Sequence, residues 1–274
     1  MYILFDIGGT NMRLAFSDGT NIIRQKTIPT PKDFEEAIYQ FELITKELAR
    51  EEKIKRLAGG IRGVLNKDKS KLVVDHILND WVNKPFKEKL QNIYQCPVLL
   101  ENDTALVGLG EATKGAGENQ SIVAYVTIST GVGGARIVNK KIDQNALGFE
   151  PGHQIIVADG SLCGCGGNGH LEAYISGYAI EKIHQQKPQD LNNPLAWDEI
   201  AKYLSIGLNN TILHWSPDIV VIGGSIGLAI PLDYIQKHLN KNLKIFTPPT
   251  VIKAKLKDEA GLLGALQYLK QNIN

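Results

Sequence analysis

Cysteine is scarce in this chain of 274 residues: only Cys96, Cys163 and Cys165 occur. An odd number, with two of them separated by one glycine, makes a poor disulfide framework and suits a reducing compartment where thiolates are free to bind metal. An excess of charge is missing too, since 30 basic residues against 29 acidic ones leave a net +1. That balance provides no broad footprint for a nucleic-acid backbone or an anionic bilayer, so an anionic ligand has to be bound locally. No apolar run approaches the roughly 20 residues that span a bilayer. The opening Met1-Tyr-Ile-Leu-Phe-Asp6 carries an early acid and no basic leader, unlike a secretory signal. These absences predict a cytoplasmic protein with no membrane and no nucleic-acid partner. Two common phosphate-binding signatures, GxGxxG after the first strand and GxxxxGK[ST], are also lacking, which disfavours a Rossmann or P-loop site.

What is present is ordinary globular material, 43% hydrophobic and 22% charged, at a length that suits two domains. Tyr2 to Asp6 reads as a buried strand running into Gly8-Gly9-Thr10, with Asn11 to Ser17 returning as its hairpin partner. Phe34, Ala37, Ile38, Phe41, Ile44 and Leu48 recur at helical spacing after Pro31 and Asp33. Leu57 to Ile61 and Pro97 to Glu101 are short apolar strands, the second delivering Asn102 and Asp103 at its carboxyl end, where open α/β sheets place ligands. The opening plan then recurs: Ile122 to Ile128, the turn Ser129-Thr130-Gly131-Val132-Gly133-Gly134, and a returning strand from Ala135 to Val138. Two related halves are expected, with a cleft between them. Leu195 to Leu213 has helical periodicity, Asp218 to Ile222 is a strand ending in Gly223-Gly224-Ser225, and Ala260 to Leu269 is an apolar-faced helix.

Three constellations carry chemistry. In Asp6-Ile-Gly8-Gly9-Thr10 the bare backbone of the glycines lets N–H groups approach phosphate oxygens while Asp6 faces a hydrated magnesium ion. A Gly-Gly turn alone is equally a plain hairpin, but Thr130 and Gly131 sit in a second turn of the same kind. Gly223 and Gly224 present bare backbone that accepts the flat face of a purine, or form a simple strand-to-helix turn. Asp103 is either a helix cap or, beside Asn102, the carboxylate that takes a sugar hydroxyl's proton in phosphoryl transfer. The third constellation is His153, Cys163, Cys165 and His170, four donors within eighteen residues on a glycine-rich loop. They suffice to close a tetrahedral zinc shell with no open position, so the metal is structural rather than catalytic. Glu150 and Glu172 bracket this loop as acceptors for vicinal hydroxyls, unless they are solvated surface acids.

Together Asp6-Ile-Gly-Gly-Thr10, Glu101-Asn-Asp103, Ser129-Thr-Gly-Val-Gly-Gly134, Glu150-Pro-Gly-His153, Cys163-Gly-Cys-Gly-Gly-Asn-Gly-His-Leu-Glu172 and Gly261-Leu-Leu-Gly-Ala265 resemble the ROK family (repressor, open reading frame, kinase) along essentially the whole chain. The resemblance implies a two-domain α/β fold of the actin-like, ribonuclease H-like ATPase type with an interdomain cleft. Its domains would be residues 1–117 and 118–259, with the helix at about 260–274 packing back on the first. It implies an ATP-dependent hexose kinase, with glucose O6 as the first choice of acceptor, MgATP as donor, structural zinc and a homodimer. Asp103 would be the general base. Gly63, Asn102, Asp103, Glu150, His153 and Glu172 would hold the sugar, with His153 also a zinc ligand. Asp6, Gly8, Gly9, Thr10, Thr130, Gly131, Gly223 and Gly224 would carry the nucleotide.

The chain departs from the family pattern in three places. His170 stands where a third zinc cysteine is usual, Ile77-Leu78 replaces an Asn-Leu pair ahead of Trp81, and Arg136 replaces a small or aliphatic residue. Asp6 lies too near the start for a preceding DNA-reading helix-turn-helix, which favours the kinase branch over the repressors. The alternatives are a kinase of an N-acetylhexosamine, fructose or allose, a sugar sensor that binds without turnover, and an actin-like ATPase that ignores sugars.

Overall fold

The computed structural model describes residues 1–273. The chain divides into two compact units, one built from Met1–Lys114, Gln144–Gly148 and the segment from Asp258 onward, the other from Gly115–Asp143 and Phe149–Lys257. The first contributes β1 (Tyr2–Ile7), β2 (Asn11–Ser17), β3 (Ile22–Pro29), α1 (Phe34–Ala49), β4 (Arg56–Ile61), the short hairpin β5 (Val64–Leu65) and β6 (Leu72–Val74), α2 (Phe86–Tyr94), β7 (Val98–Asn102) and α3 (Asp103–Lys114). The second contributes β8 (Ile122–Ile128), β9 (Val132–Val138), β10 (Lys141–Ile142), α4 (Glu172–Ile175), α5 (Gly177–His184), α6 (Pro194–Trp215), β11 (Ile219–Gly223), α7 (Ser225–Ala229), α8 (Leu232–Asn242) and β12 (Thr250–Lys253). α9 (Ala260–Gln271) belongs to the first unit again. Among the described residues no helix is long and apolar enough to cross a membrane.

The two five-stranded sheets share one plan, β3-β2-β1-β4-β7 and β10-β9-β8-β11-β12. In each, an antiparallel meander of three strands is extended by two parallel strands. The recurrence read at residues 2 to 17 and 122 to 138 is thus the visible part of a whole-sheet repeat. Four other elements, β3, α2, α8 and β12, leave weaker marks. β3 alternates half-buried and exposed residues as an edge strand does, and α2 and α8 each bury only two residues fully.

The first sheet is covered on one face by α1, whose stripe Phe34, Ala37, Ile38, Phe41, Ile44 and Leu48 is buried. Asp33 caps this helix by accepting the Glu36 N–H, and Glu35 and Glu36 complement the positive end of its dipole. Phe5, Phe34, Phe41, Trp81 and Phe86 form an aromatic cluster beneath it, with Phe5–Phe41 and Phe34–Trp81 edge-to-face at 5.5 and 5.7 Å. Such pairs add about 0.5–1.5 kcal/mol each beyond area burial. In the second unit α6 begins at Asn193, whose side chain accepts the Leu195 and Ala196 N–H groups, with Pro194 at the first helical position. It packs on α8, and the Ser205 hydroxyl donates across to the Ile235 carbonyl at 3.0 Å.

α9 approaches α3 so closely that backbone touches backbone. A Cβ on Gly264 would lie 1.8 Å from the Leu106 carbonyl oxygen, and one on Gly110 would lie 2.4 Å from that of Ala260. No rotamer change relieves a clash with main chain. Gly264→Ala is therefore expected to cost about 3 kcal/mol, the upper end for overpacking, read by calorimetry as a Tm lower by roughly 6–12 °C. An unchanged Tm would show that the two helices separate at little cost.

Candidate active site and metal centre

In the first unit β1, β4 and β7 run parallel, with Asp6 beside Gly60 and Gly60 beside Glu101. Their carboxyl ends therefore share one edge, and the side chains just there are Asp6, Arg62 and Asp103. The Gly8-Gly9-Thr10 turn leaves β1 at the same edge. It is tied down by the Gly8 N–H to Asn11 O (3.0 Å), the Thr30 hydroxyl to Gly8 O (2.8 Å) and the Lys32 ammonium to Gly9 O (2.5 Å). The Gly9 and Thr10 N–H groups are not among these donors, which leaves them available to an anion.

Asp6 is buried against the first turn of α9, where a Cβ on Gly261 would sit 2.4 Å from its Oδ2. Burial, and then the nearby Asp103 carboxylate, push its pKa up to about 7, while Arg13 at 3.5 Å opposes the rise. Asp103 is raised for the same leading reason, loss of water, against which Arg62 and the Thr104 N–H (2.7 Å) work. Two carboxyl groups whose ionisation burial disfavours share this edge, and a nearby divalent cation, such as a nucleotide's hydrated magnesium ion, would favour their charged forms.

Asn102 is the helix cap here, its Oδ1 accepting the Ala105 N–H at 3.0 Å, which frees Asp103 from that role. Its amide donates to Gly63 O at 3.0 Å and its own N–H to Glu101 Oε1 at 2.9 Å, with Glu101 buried and ion-paired to Lys69. Gly63 adopts φ +90°, and a Cβ there would meet the Val74 carbonyl oxygen at 2.7 Å. Asn102 and Gly63 are thus joined, with one Asn102 amide N–H remaining.

In the second unit the Ser129-Thr130-Gly131 turn closes through the Ser129 N–H to Gly131 O (2.9 Å) and receives the Gly177 N–H on Ser129 O (2.7 Å). The Ser129 and Ser225 hydroxyls are 3.3 Å apart, which brings this turn beside Gly223 and Gly224. Gly224 has φ +79°, and a Cβ would lie 2.2 Å from the Ile128 carbonyl oxygen, so no other residue fits. Glu172 opens α4 and accepts the Val132 N–H at 2.8 Å, which couples the metal loop to the second glycine turn. Glu150 is exposed at the start of the short turn Pro151–His153 that carries the first metal donor.

The donor atoms of His153, Cys163, Cys165 and His170 all lie within 4.8 Å of one another. Cys163 Sγ is 3.9 Å from His153 Nδ1 and Cys165 Sγ is 3.2 Å from His170 Nδ1. A tetrahedral zinc with bonds of about 2.0–2.3 Å has donor–donor edges of roughly 3.3–3.8 Å, so the cluster fits zinc. Loop geometry holds the donors: Cys163 N–H donates to Gly167 O, Ile155 pairs with His170, and Gly169 (φ +70°) has Val157 O where a Cβ would be. His170 occupies the fourth corner, so its substitution for cysteine keeps the ligand count.

Arg136, which the sequence leaves unexplained, donates from Nε to Trp215 O at 2.8 Å and pairs with Asp143, fastening β9 to the end of α6. Arg62, Asp75 and Arg13 are the site residues that sequence reasoning passed over. None lies in a recognisable motif, and only the strand register brings them to the edge.

The paired sheets of identical plan, with glycine turns at corresponding ends, define the two-domain actin-like α/β class of hexokinase type. The chain matches the ROK family profile over residues 2–272 and belongs to that family. It is 27% identical over 308 residues to a glucokinase of Streptomyces coelicolor, covering 97% of this chain and 96% of that one. Its fold superposes with a TM-score of 0.86 on a ROK hexokinase of Thermus thermophilus, at 28% identity and 98% coverage of both chains. A ROK family glucokinase of Streptomyces griseus, in complex with glucose and AMPPNP, gives 0.83 at 25% identity and 99% coverage of both.

Burial pushes the Cys163 thiol up to about 11, so zinc must displace its proton and retention of the metal falls as pH falls. Purified protein is expected to hold one zinc per chain, matching the one four-donor cluster among the described residues. Cys163→Ser and Cys165→Ser should lower that stoichiometry and the Tm, measured by metal analysis and calorimetry. Full zinc in both variants would place the metal elsewhere.

Proposed function

We propose that this protein is an ATP-dependent hexose kinase, with the glucose O6 hydroxyl as acceptor. The observation that carries the reading is the Asp103 carboxyl group, released from capping by Asn102 and set at the same strand edge as the Gly8-Gly9-Thr10 turn. In the reaction the sugar oxygen bonds to the γ-phosphorus, the bond from that phosphorus to the β,γ-bridging oxygen breaks, and the hydroxyl proton passes to Asp103. Little covalent work falls to the protein, so positioning and charge neutralisation dominate. Asp6 is the residue that would hold a nucleotide-borne magnesium ion, which when bound would supply neutralisation of the phosphate charge. Gly9 and Thr10 present N–H groups to phosphate oxygens, with Gly8, whose own N–H is held by Asn11 O, adding bare backbone beside them. Thr130 and Gly131 present N–H groups likewise, while Gly223 and Gly224 leave bare backbone for the purine.

Glu150, His153 and Glu172, with Gly63 and Asn102, hold the ring hydroxyls. His153 would be fixed by a zinc ion held in the four-donor cluster, and Glu172 is fixed by the Val132 N–H, so both would be oriented before sugar arrives. The domains are taken as residues 1–117 and 118–259 with the last helix joined to the first. The reading places the protein in the cytoplasm as a homodimer, supported by family membership and by the cysteine usage, and testable by light scattering.

ADP release measured over a panel of glucose, fructose, allose and N-acetylated hexosamines should depend on sugar and be largest with glucose. Sugar-independent hydrolysis, or sugar binding with no ADP, would overturn the assignment. Asp103→Asn should fold, keep zinc and lose about 10²–10⁴-fold in kcat, the usual contribution of a general base. Because Asp103 is raised and must be ionised to accept the proton, activity should be present above its pKa and disappear as pH falls through it. The acid limb of kcat/KM is expected above the ordinary carboxylate range.

A further inference from the structure

Arg62 follows β4 directly, between Asp6 and Asp103 at the strand edge. Its Nε donates to Asp75 Oδ2 at 2.7 Å. Asp75 is itself immobilised, since its other oxygen accepts the Ile77 and Leu78 N–H groups, both at 2.6 Å. The guanidinium plane is thereby fixed by one of its five donors. Its Nη1 lies over Gly9, close enough that a Cβ there would stand 2.4 Å away. Neither Nη group makes a hydrogen bond among the described residues, and the side chain is 26% exposed. A planar fork with four free N–H donors, held over the bare Cα of a phosphate turn and beside a general base, has the form of a phosphoryl-oxygen clamp.

We infer that Arg62 is a further catalytic residue, which hydrogen-bonds the non-bridging oxygens of the phosphoryl group in transit. The inference rests on the kinase reading above. Arg62 neither gains nor loses a proton: the sugar oxygen–phosphorus bond forms, the bridging bond breaks, and the hydroxyl proton still goes to Asp103. Its charge acts where the loose transition state spreads negative charge over equatorial oxygens. Arg62 is also the cation that lowers Asp103, against the raising effects of burial and Asp75. The charged groups around Asp103 are Arg62, Asp75 and Asp6, with Arg13 and Asp258 behind Asp6.

The pairing with Asp75 alone makes Arg62 a brace for the 75–78 turn. A brace predicts lost stability with kcat and its pH dependence unmoved, so the two roles separate in one experiment. Wild-type enzyme is assayed first with glucose and MgATP. Absence of sugar-dependent ADP there refutes the kinase reading and this inference with it. With the wild type active, Arg62→Met is expected to fold, to lose about 10²-fold or more in kcat with a smaller change in the KM for glucose, and to shift the acid limb of its pH profile upward by about one unit. Arg62→Lys keeps the charge without the fork, and should lose kcat while leaving the acid limb in place; it carries the test should Arg62→Met not fold. A kcat near wild type in the folded variant, or a raised glucose KM with kcat intact, overturns the assignment.

Discussion

Parallel pairing of β4 with β1 on one side and β7 on the other is the constraint on which the edge carrying Asp6, Arg62 and Asp103 depends. Strand ends that coincide put Asp6, Arg62 and Asp103 within electrostatic reach of one another, although they lie far apart in sequence. β4 can run between the others because it carries glycine at 59 and 60. A Cβ on Gly59 would stand 2.2 Å from the Phe5 carbonyl oxygen, and one on Gly60 would stand 2.8 Å from the Asp103 Cα. A slip of one residue in either pairing would exchange the faces of every side chain on the strand. The aromatic cluster under α1 opposes that slip, because Phe5 would leave it.

The edge is balanced in charge rather than neutral at each residue. Burial raises both Asp6 and Asp103, and each is met by one guanidinium, Arg13 for the first and Arg62 for the second. Those guanidinium groups are in turn anchored by Asp258 and Asp75. The second unit reaches its order by other means. Four potential metal donors converge on a loop that has few buried apolar residues, and Glu172 links that loop to the second glycine turn.

Much of this was readable along the chain. The strong strands, α1, α6 and the last helix follow from apolar periodicity, because a single buried face leaves a mark every second residue or every third and fourth. The zinc donors cluster within one loop, so their chemistry needs little knowledge of the fold. β3 is legible only as a weak alternation, and α2 and α8 are short amphipathic helices that each bury two residues fully, Phe86 with Leu90 and Ile235 with Leu239. Asn102 and Asp103 were visible as a pair, yet which of them caps α3 depends on side-chain direction at a strand–helix junction, where the two are chemically equivalent candidates. Arg136 looked anomalous until its partners, Trp215 and Asp143, were brought beside it.

By itself the amino-acid order determined the repeated strand–turn–strand plan, the cluster of four potential metal donors and the carboxylate at the end of β7. Local backbone preference, hydrophobic period and donor chemistry are properties of short segments, and they survive being read one segment at a time. Only tertiary structure decided that Arg62 lies over Gly9 and faces Asp103, that Asp6 rests on Gly261, and that Glu172 holds Val132. Those contacts join residues remote in the chain through strand register and helix packing, and no pattern within either segment encodes the meeting.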